Sequence, residues 1–168
     1  MGAPLSSRAE NGPLRVPCRG DGMRASAPRV RVFRALRRGG ITAAEMPSAT
    51  VLLVEDNDGI RDSVAECLAS EGYAVCPVAN GAEALVALRT TERPSVILVD
   101  LVMPVMDGAE LIEALRADAS WRTIPVVLMT AAASTDALPP ADGILEKPFE
   151  LDDLLAAVER HARPAAAA

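Results

Sequence analysis

The chain has 168 residues, half of them hydrophobic, and a formal net charge of −6. That suffices for one domain with a sizeable core plus extensions. No apolar run reaches the ~18 residues a membrane helix needs, so we expect no membrane insertion. The aromatics are only Phe33, Phe149, Tyr73 and Trp121, which leaves Val, Leu, Ile, Ala and Met to build the core. Cys18, Cys67 and Cys76 form no disulfide framework and lack metal-ligand spacing; reduced thiols of a cytoplasmic protein are the expectation.

The charge is unevenly spread. Residues 1–45 carry nine Arg against Glu10, Asp21 and Glu45, whereas residues 46–168 carry eight bases against twenty acids. The first stretch is rich in Gly, Pro, Ser and Arg and has no sustained period. We read residues 1–46 as a disordered basic extension, with Met46 a sensible start residue. A folded domain is expected over 47–163, and a disordered tail over 164–168.

From residue 50 onward, apolar runs alternate with helical patterns. Val51–Val54, Tyr73–Val78, Val96–Val99, Ile124–Met129 and Gly143–Leu145 read as buried strands. Gly59–Ser70, Gly81–Arg89, Gly108–Asp118 and Leu151–Ala162 read as helices, with Asn57 or Asp58, Asn80 and Asp107 as N-caps. Ile60, Val64, Cys67 and Leu68 recur at helical spacing in the first. Leu151, Leu154, Leu155 and Val158 do so in the last. Between strands four and five, Ala131–Leu138 stops at Pro139-Pro140 and reads as a short or degenerate fourth helix. The alternation predicts an α/β fold with helices on both faces of a five-stranded parallel sheet. The flavodoxin-like, doubly wound order 2-1-3-4-5 places strands one and three side by side at the switch point.

In such sheets ligands bind at the C-terminal strand edge. The residues there are Glu55-Asp56, Asp100, Thr130 and Lys147-Pro148. Three converging carboxylates repel one another unless a proton or a cation intervenes. Hard oxygen ligands with open positions suit Mg²⁺. Lys147 offers a mobile point charge and Thr130 a hydroxyl donor, so the set describes a site for a phosphoryl group on Asp100.

Val54-Glu55-Asp56-Asn57, Val99-Asp100-Leu101-Val102-Met103-Pro104-Val105-Met106-Asp107-Gly108, Met129-Thr130-Ala131 and Glu146-Lys147-Pro148-Phe149 resemble, in order, the receiver domains of bacterial two-component response regulators. The resemblance covers residues 50–163. It implies that Asp100 accepts a phosphoryl group from a sensor histidine kinase or a histidine phosphotransfer protein, and that a downstream protein reads the result. It also implies Mg²⁺ held by Asp56, Asp100, the Val102 carbonyl and, often through water, Glu55. Thr130 and Lys147 are then the hydroxyl and ammonium that close on the phosphoryl group, and the Lys147–Pro148 bond is expected to be cis. Only Arg163-Pro164-Ala165 and three further alanines follow the last helix, so a stand-alone, chemotaxis-regulator-like receiver is implied, with no direct DNA binding and no catalysis beyond its own phosphorylation and dephosphorylation.

Two departures matter. The family usually has Tyr or Phe three residues before the Lys as a switch, and this chain has Ile144 there. The stretch from Thr130 to Lys147 is also short. Both leave room for an alternative reading, a phosphorylation-independent pseudo-receiver that serves as an interaction module. An aspartyl-phosphate phosphohydrolase of the haloacid dehalogenase type uses similar groups, but its nucleophile follows the first strand; here the acidic pair comes first. Of the remaining residues, Met103, Met106 and Trp121 read as packing and Asp107 as an N-cap. His161 reads as a surface residue whose positive charge would suit a helix C-terminus. Asp58, Arg61, Asp62 and Ala65 read as the outer face of the first helix.

Overall fold

A computed structural model describes residues 49–131 and 138–162. Five strands, β1 (Thr50–Val54), β2 (Ala74–Val78), β3 (Val96–Asp100), β4 (Val126–Thr130) and β5 (Gly143–Glu146), form one sheet. Four helices, α1 (Asp58–Ser70), α2 (Gly81–Thr90), α3 (Gly108–Ala117) and α4 (Leu151–His161), complete the order. All neighbouring strands are parallel, in the order β2-β1-β3-β4-β5. This is the expected architecture. The expected extension over 1–46, the fourth-helix segment apart from Ala131 and Leu138, and the tail lie outside the described residues.

The near-continuous apolar strands split by parity, because successive side chains in a strand point to opposite faces. Val51, Leu53, Val75, Val96, Leu98, Val127 and Met129 join Val64, Ala65 and Leu68 of α1 and Leu154 and Val158 of α4 on one face. Leu52, Val54, Cys76, Val78, Ile97, Val99, Val126 and Leu128 join Ala84, Ala87 and Leu88 of α2 and Leu111, Ile112 and Leu115 of α3 on the other. Each large apolar side chain removed from water in this way contributes about 1.5–3 kcal/mol. Met103 is buried, and Met106 and Trp121 pack against the second cluster, as expected. The Arg89 guanidinium lies 5.7 Å from the Trp121 ring centroid.

Several boundaries and faces differ from the sequence expectation. Tyr73 precedes β2, and its N–H instead closes the turn after α1 by donating to Leu68. β4 starts at Val126, since Pro125 offers no N–H and Ile124 N donates back to Trp121. Ile60 and Leu151 are exposed, each in the first turn of its helix and beyond the reach of the sheet. Ala65, expected on the outer face of α1, is fully buried against the sheet, because a small residue lets the helix approach closely. His161 is half-buried, not on the surface, and its ring sits against Gly143 of β5. Among the described residues no helix is long and apolar enough to cross a membrane.

Candidate functional site

The site is assembled where four strands, β1, β3, β4 and β5, end. β1 delivers Glu55, whose N–H still donates to Val78 O at 3.1 Å, so the ladder fixes it. Glu55 is only 1% exposed, while Asp56 is exposed. Asn57 then caps α1 by accepting from Ile60 N at 3.1 Å. It also donates its own N–H toward Glu55 Oε1, at 3.4 Å.

β3 delivers Asp100. The next peptide is held on both sides: Leu101 N donates to Met129 O at 3.1 Å, and Gly108 N to Leu101 O at 3.0 Å. A Cβ at Gly108 would lie 2.4 Å from the Asp100 carbonyl oxygen, so only glycine permits this approach. The intervening loop carries Val105 at φ 73°, a left-handed conformation that a β-branched side chain adopts at a cost. Its far end is locked by the Asp107–Glu110 capping box, with bonds of 2.8 and 3.0 Å. Gly81 N donates to Met106 O at 3.1 Å and ties the same loop to α2.

β4 and β5 deliver the remaining groups. Thr130 is buried at the end of β4, one step beyond the residue paired with Asp100. Lys147 N donates to Thr130 O at 2.7 Å, which carries Lys147 to the same edge. Its Nζ donates to Glu55 Oε2 at 2.8 Å and lies 3.2 Å from Asp100 Oδ2. Burial alone would lower the Lys147 pKa. The Glu55 hydrogen bond and the Asp100 and Glu55 charges outweigh it, and the pKa is raised. The Lys147–Pro148 bond is cis, as the resemblance implied.

One carboxylate oxygen from each of Glu55, Asp56 and Asp100 falls within 4.8 Å of the others. This all-oxygen, unequally buried set fits a hard cation that keeps part of its water shell. Val102, the expected carbonyl ligand, lies in the loop two residues past Asp100, with its side chain exposed. Ile144 sits on β5 in register with Leu128 and is 49% exposed. A separate groove between β5 and α4, lined by Ile144, Phe149, Ala157 and Arg160, contains none of the three acids. Convergent charge, not an apolar cavity, marks the site.

Residues 51–159 match the family model described as the response regulator receiver domain. The chain belongs to that family. Over 121 residues it is 33% identical to sporulation initiation phosphotransferase F of Bacillus subtilis, covering 69% of this chain and 95% of the relative. It is 36% identical to response regulator Rre1 of Synechocystis over 115 residues, 65% of this chain but 49% of that one. It thus spans about half the length of that regulator. Among solved structures, chemotaxis response regulator CheY4 of Vibrio cholerae is similar, with TM-score 0.63 and 35% identity over 67% of this chain and 97% of that one. So is the receiver domain of a sensor histidine kinase of Pseudomonas aeruginosa, which has magnesium coordinated in its active-site cleft (TM-score 0.64, 30% identity, 68% of this receiver and 98% of that chain).

Every site residue expected in the described chain lies at this one edge, apart from Ile144 farther back on β5. Sequence reading missed three features. It assigned Lys147 to a phosphoryl group and did not foresee the direct pair with buried Glu55. It did not see that Gly108 abuts Asp100. It also put Arg61 on the outer face of α1, whereas its guanidinium folds back onto the Glu55 and Asp56 carbonyls. A base in the first turn of a helix, against the macrodipole preference, was the available signal for the last.

Proposed function

We propose that this receiver accepts a phosphoryl group on Asp100 from a phosphohistidine of a sensor histidine kinase or histidine phosphotransfer protein, in a Mg²⁺-dependent reaction. The phosphorus–nitrogen bond breaks and an Asp100 Oδ–phosphorus bond forms. The imidazole leaves with the bonding pair and takes up a proton. The observation that carries the reading is Lys147 Nζ held 3.2 Å from Asp100 and 2.8 Å from Glu55 beside the acidic cluster. That ammonium is placed to neutralise an equatorial phosphoryl oxygen, and the Thr130 hydroxyl to donate to another. Asp56 and Asp100, with the Val102 carbonyl and with Glu55 through water, would hold the cation, which supplies charge neutralisation to the transferring group. Glu55, already engaged by Lys147 and the Asn57 N–H, anchors the ammonium between turnovers.

The output is a change in binding to a downstream protein in the cytoplasm, with no DNA contact of its own and no chemistry beyond its own phosphorylation and dephosphorylation. The folded unit is the 47–163 segment. Exposed Ile144, where the family usually has an aromatic switch, favours one second reading: an interaction module whose output ignores phosphorylation. Incubation with acetyl phosphate and Mg²⁺, followed by intact-mass measurement, tests the first. Wild type gains one phosphoryl mass only with Mg²⁺, and Asp100→Asn gains none. Persistent labelling of Asp100→Asn contradicts the assignment.

A further inference from the structure

We infer that Arg61 is a positioning residue that sets the metal-binding conformation of the Glu55–Asp56 loop without touching the cation. The inference rests on the phosphoryl-accepting reading above and adds a residue to it. Arg61 sits in the first turn of α1, where its own N–H donates to Asn57 O. Its side chain does not run out to solvent. One guanidinium nitrogen donates to Glu55 O at 2.7 Å and reaches Asp56 O at 3.3 Å; the other pairs with Asp58.

Two features set this apart from a surface ion pair. The Arg61 side chain is only 16% exposed, whereas Asp58 is 85% exposed, so Asp58 alone cannot account for the ordering of a long side chain. The carbonyls gripped belong to the two acids of the cluster. β1 fixes Glu55 from one side through its N–H, and Asn57 caps the helix from the other. Between them the Glu55–Asp56 peptide would otherwise be free to rotate, and its rotation would re-aim both carboxylates. A planar fork with several fixed donors can span two successive carbonyls and a carboxylate at once; a lysine ammonium is a single point charge and cannot hold that geometry. Partners that orient ligands without contacting a metal typically carry a 10–100-fold effect on affinity.

The test uses the full chain with Mn²⁺ as probe, free ion being counted by its paramagnetic resonance signal at a temperature where every variant is folded without metal. Arg61→Lys should bind Mn²⁺ about 10-fold more weakly than wild type. With acetyl phosphate, the Mg²⁺ concentration for half-maximal phosphorylation should rise by the same factor, while the rate at saturating Mg²⁺ recovers to the wild-type value. Asp58→Asn, which keeps the grip on the carbonyls, should bind as wild type does. Wild-type affinity in Arg61→Lys overturns the inference, as does equal weakening in Asp58→Asn, which would assign the effect to the ion pair. Failure of the wild type itself to bind Mn²⁺ is a separate result: it removes the functional reading and this inference with it.

Discussion

Replacing Lys147 with Met isolates the electrostatics of the site. The aliphatic stem is kept, but Glu55 Oε2 loses its 2.8 Å partner while remaining 1% exposed. Among the described residues, the long bond from Asn57 N is what then remains to that carboxylate. Removing one member of a buried pair costs ~3–5 kcal/mol, because a charge is left without compensation. Lys147 keeps some access to solvent, which argues for the lower end, ~3 kcal/mol. For a domain near 100 residues that is about 12 °C or more in melting temperature. Urea unfolding at pH 7 in the presence of a chelator measures it, with the m-value unchanged. Glu55→Gln in the same background should recover part of the loss, giving a coupling of ~1–3 kcal/mol. The sign with pH also follows. A lysine whose folded-state pKa is raised contributes stability that is fully present below its ordinary value of 10.5 and lost as pH rises through the folded pKa. The gap between wild type and Lys147→Met should therefore be complete at pH 7 and close above about pH 10.5. A loss below ~1 kcal/mol at pH 7, or a gap that persists at high pH, would refute this account of the pair.

Other consequences are equally direct. Gly108→Ala places a methyl group 2.4 Å from Asp100 O, so it should cost ~1–3 kcal/mol and reduce phosphorylation even where the variant is folded; chemical unfolding and intact mass read the two effects. Val105 is 83% exposed at φ 73°, so Val105→Asn should gain about 1 kcal/mol by relieving backbone strain at no packing cost, measured by the urea midpoint. Tyr73 is the single tyrosine, and burial, with Glu159 and Glu71 adding, raises its pKa; absorbance titration should show ionisation above pH 10, and Glu159→Gln should lower that midpoint. Because its folded pKa is raised, Tyr73 contributes stability below pH 10 that disappears as pH climbs through the folded value.

Much of this architecture was legible because parallel strands buried on both faces read as continuous apolar runs. Val51–Val54 and Val96–Val99 admit no other arrangement once helices flank them. The acids stand out for the same reason: each terminates or follows such a run, so chain order alone brings Glu55, Asp56 and Asp100 to one edge. What escaped was set by tertiary approach, not by pattern. Ala65 looks neutral in sequence, yet it is buried because α1 lies close to the sheet at that point. Ile60 fits the helical period but lies a turn too early to reach the core. Arg61 and Gly108 carry no periodic signal at all. Their roles rest on backbone carbonyls, of Glu55 and Asp100 respectively, which a sequence does not display.

The central claim is that one carboxylate, that of Asp100, receives the phosphoryl group. Phosphorylating the protein with acetyl phosphate and Mg²⁺, reducing the acyl phosphate with borohydride and sequencing the peptides by mass spectrometry locates it directly. The account predicts homoserine at position 100 and at no other aspartate. Homoserine at 56 or 107 with Asp100 unchanged would contradict it.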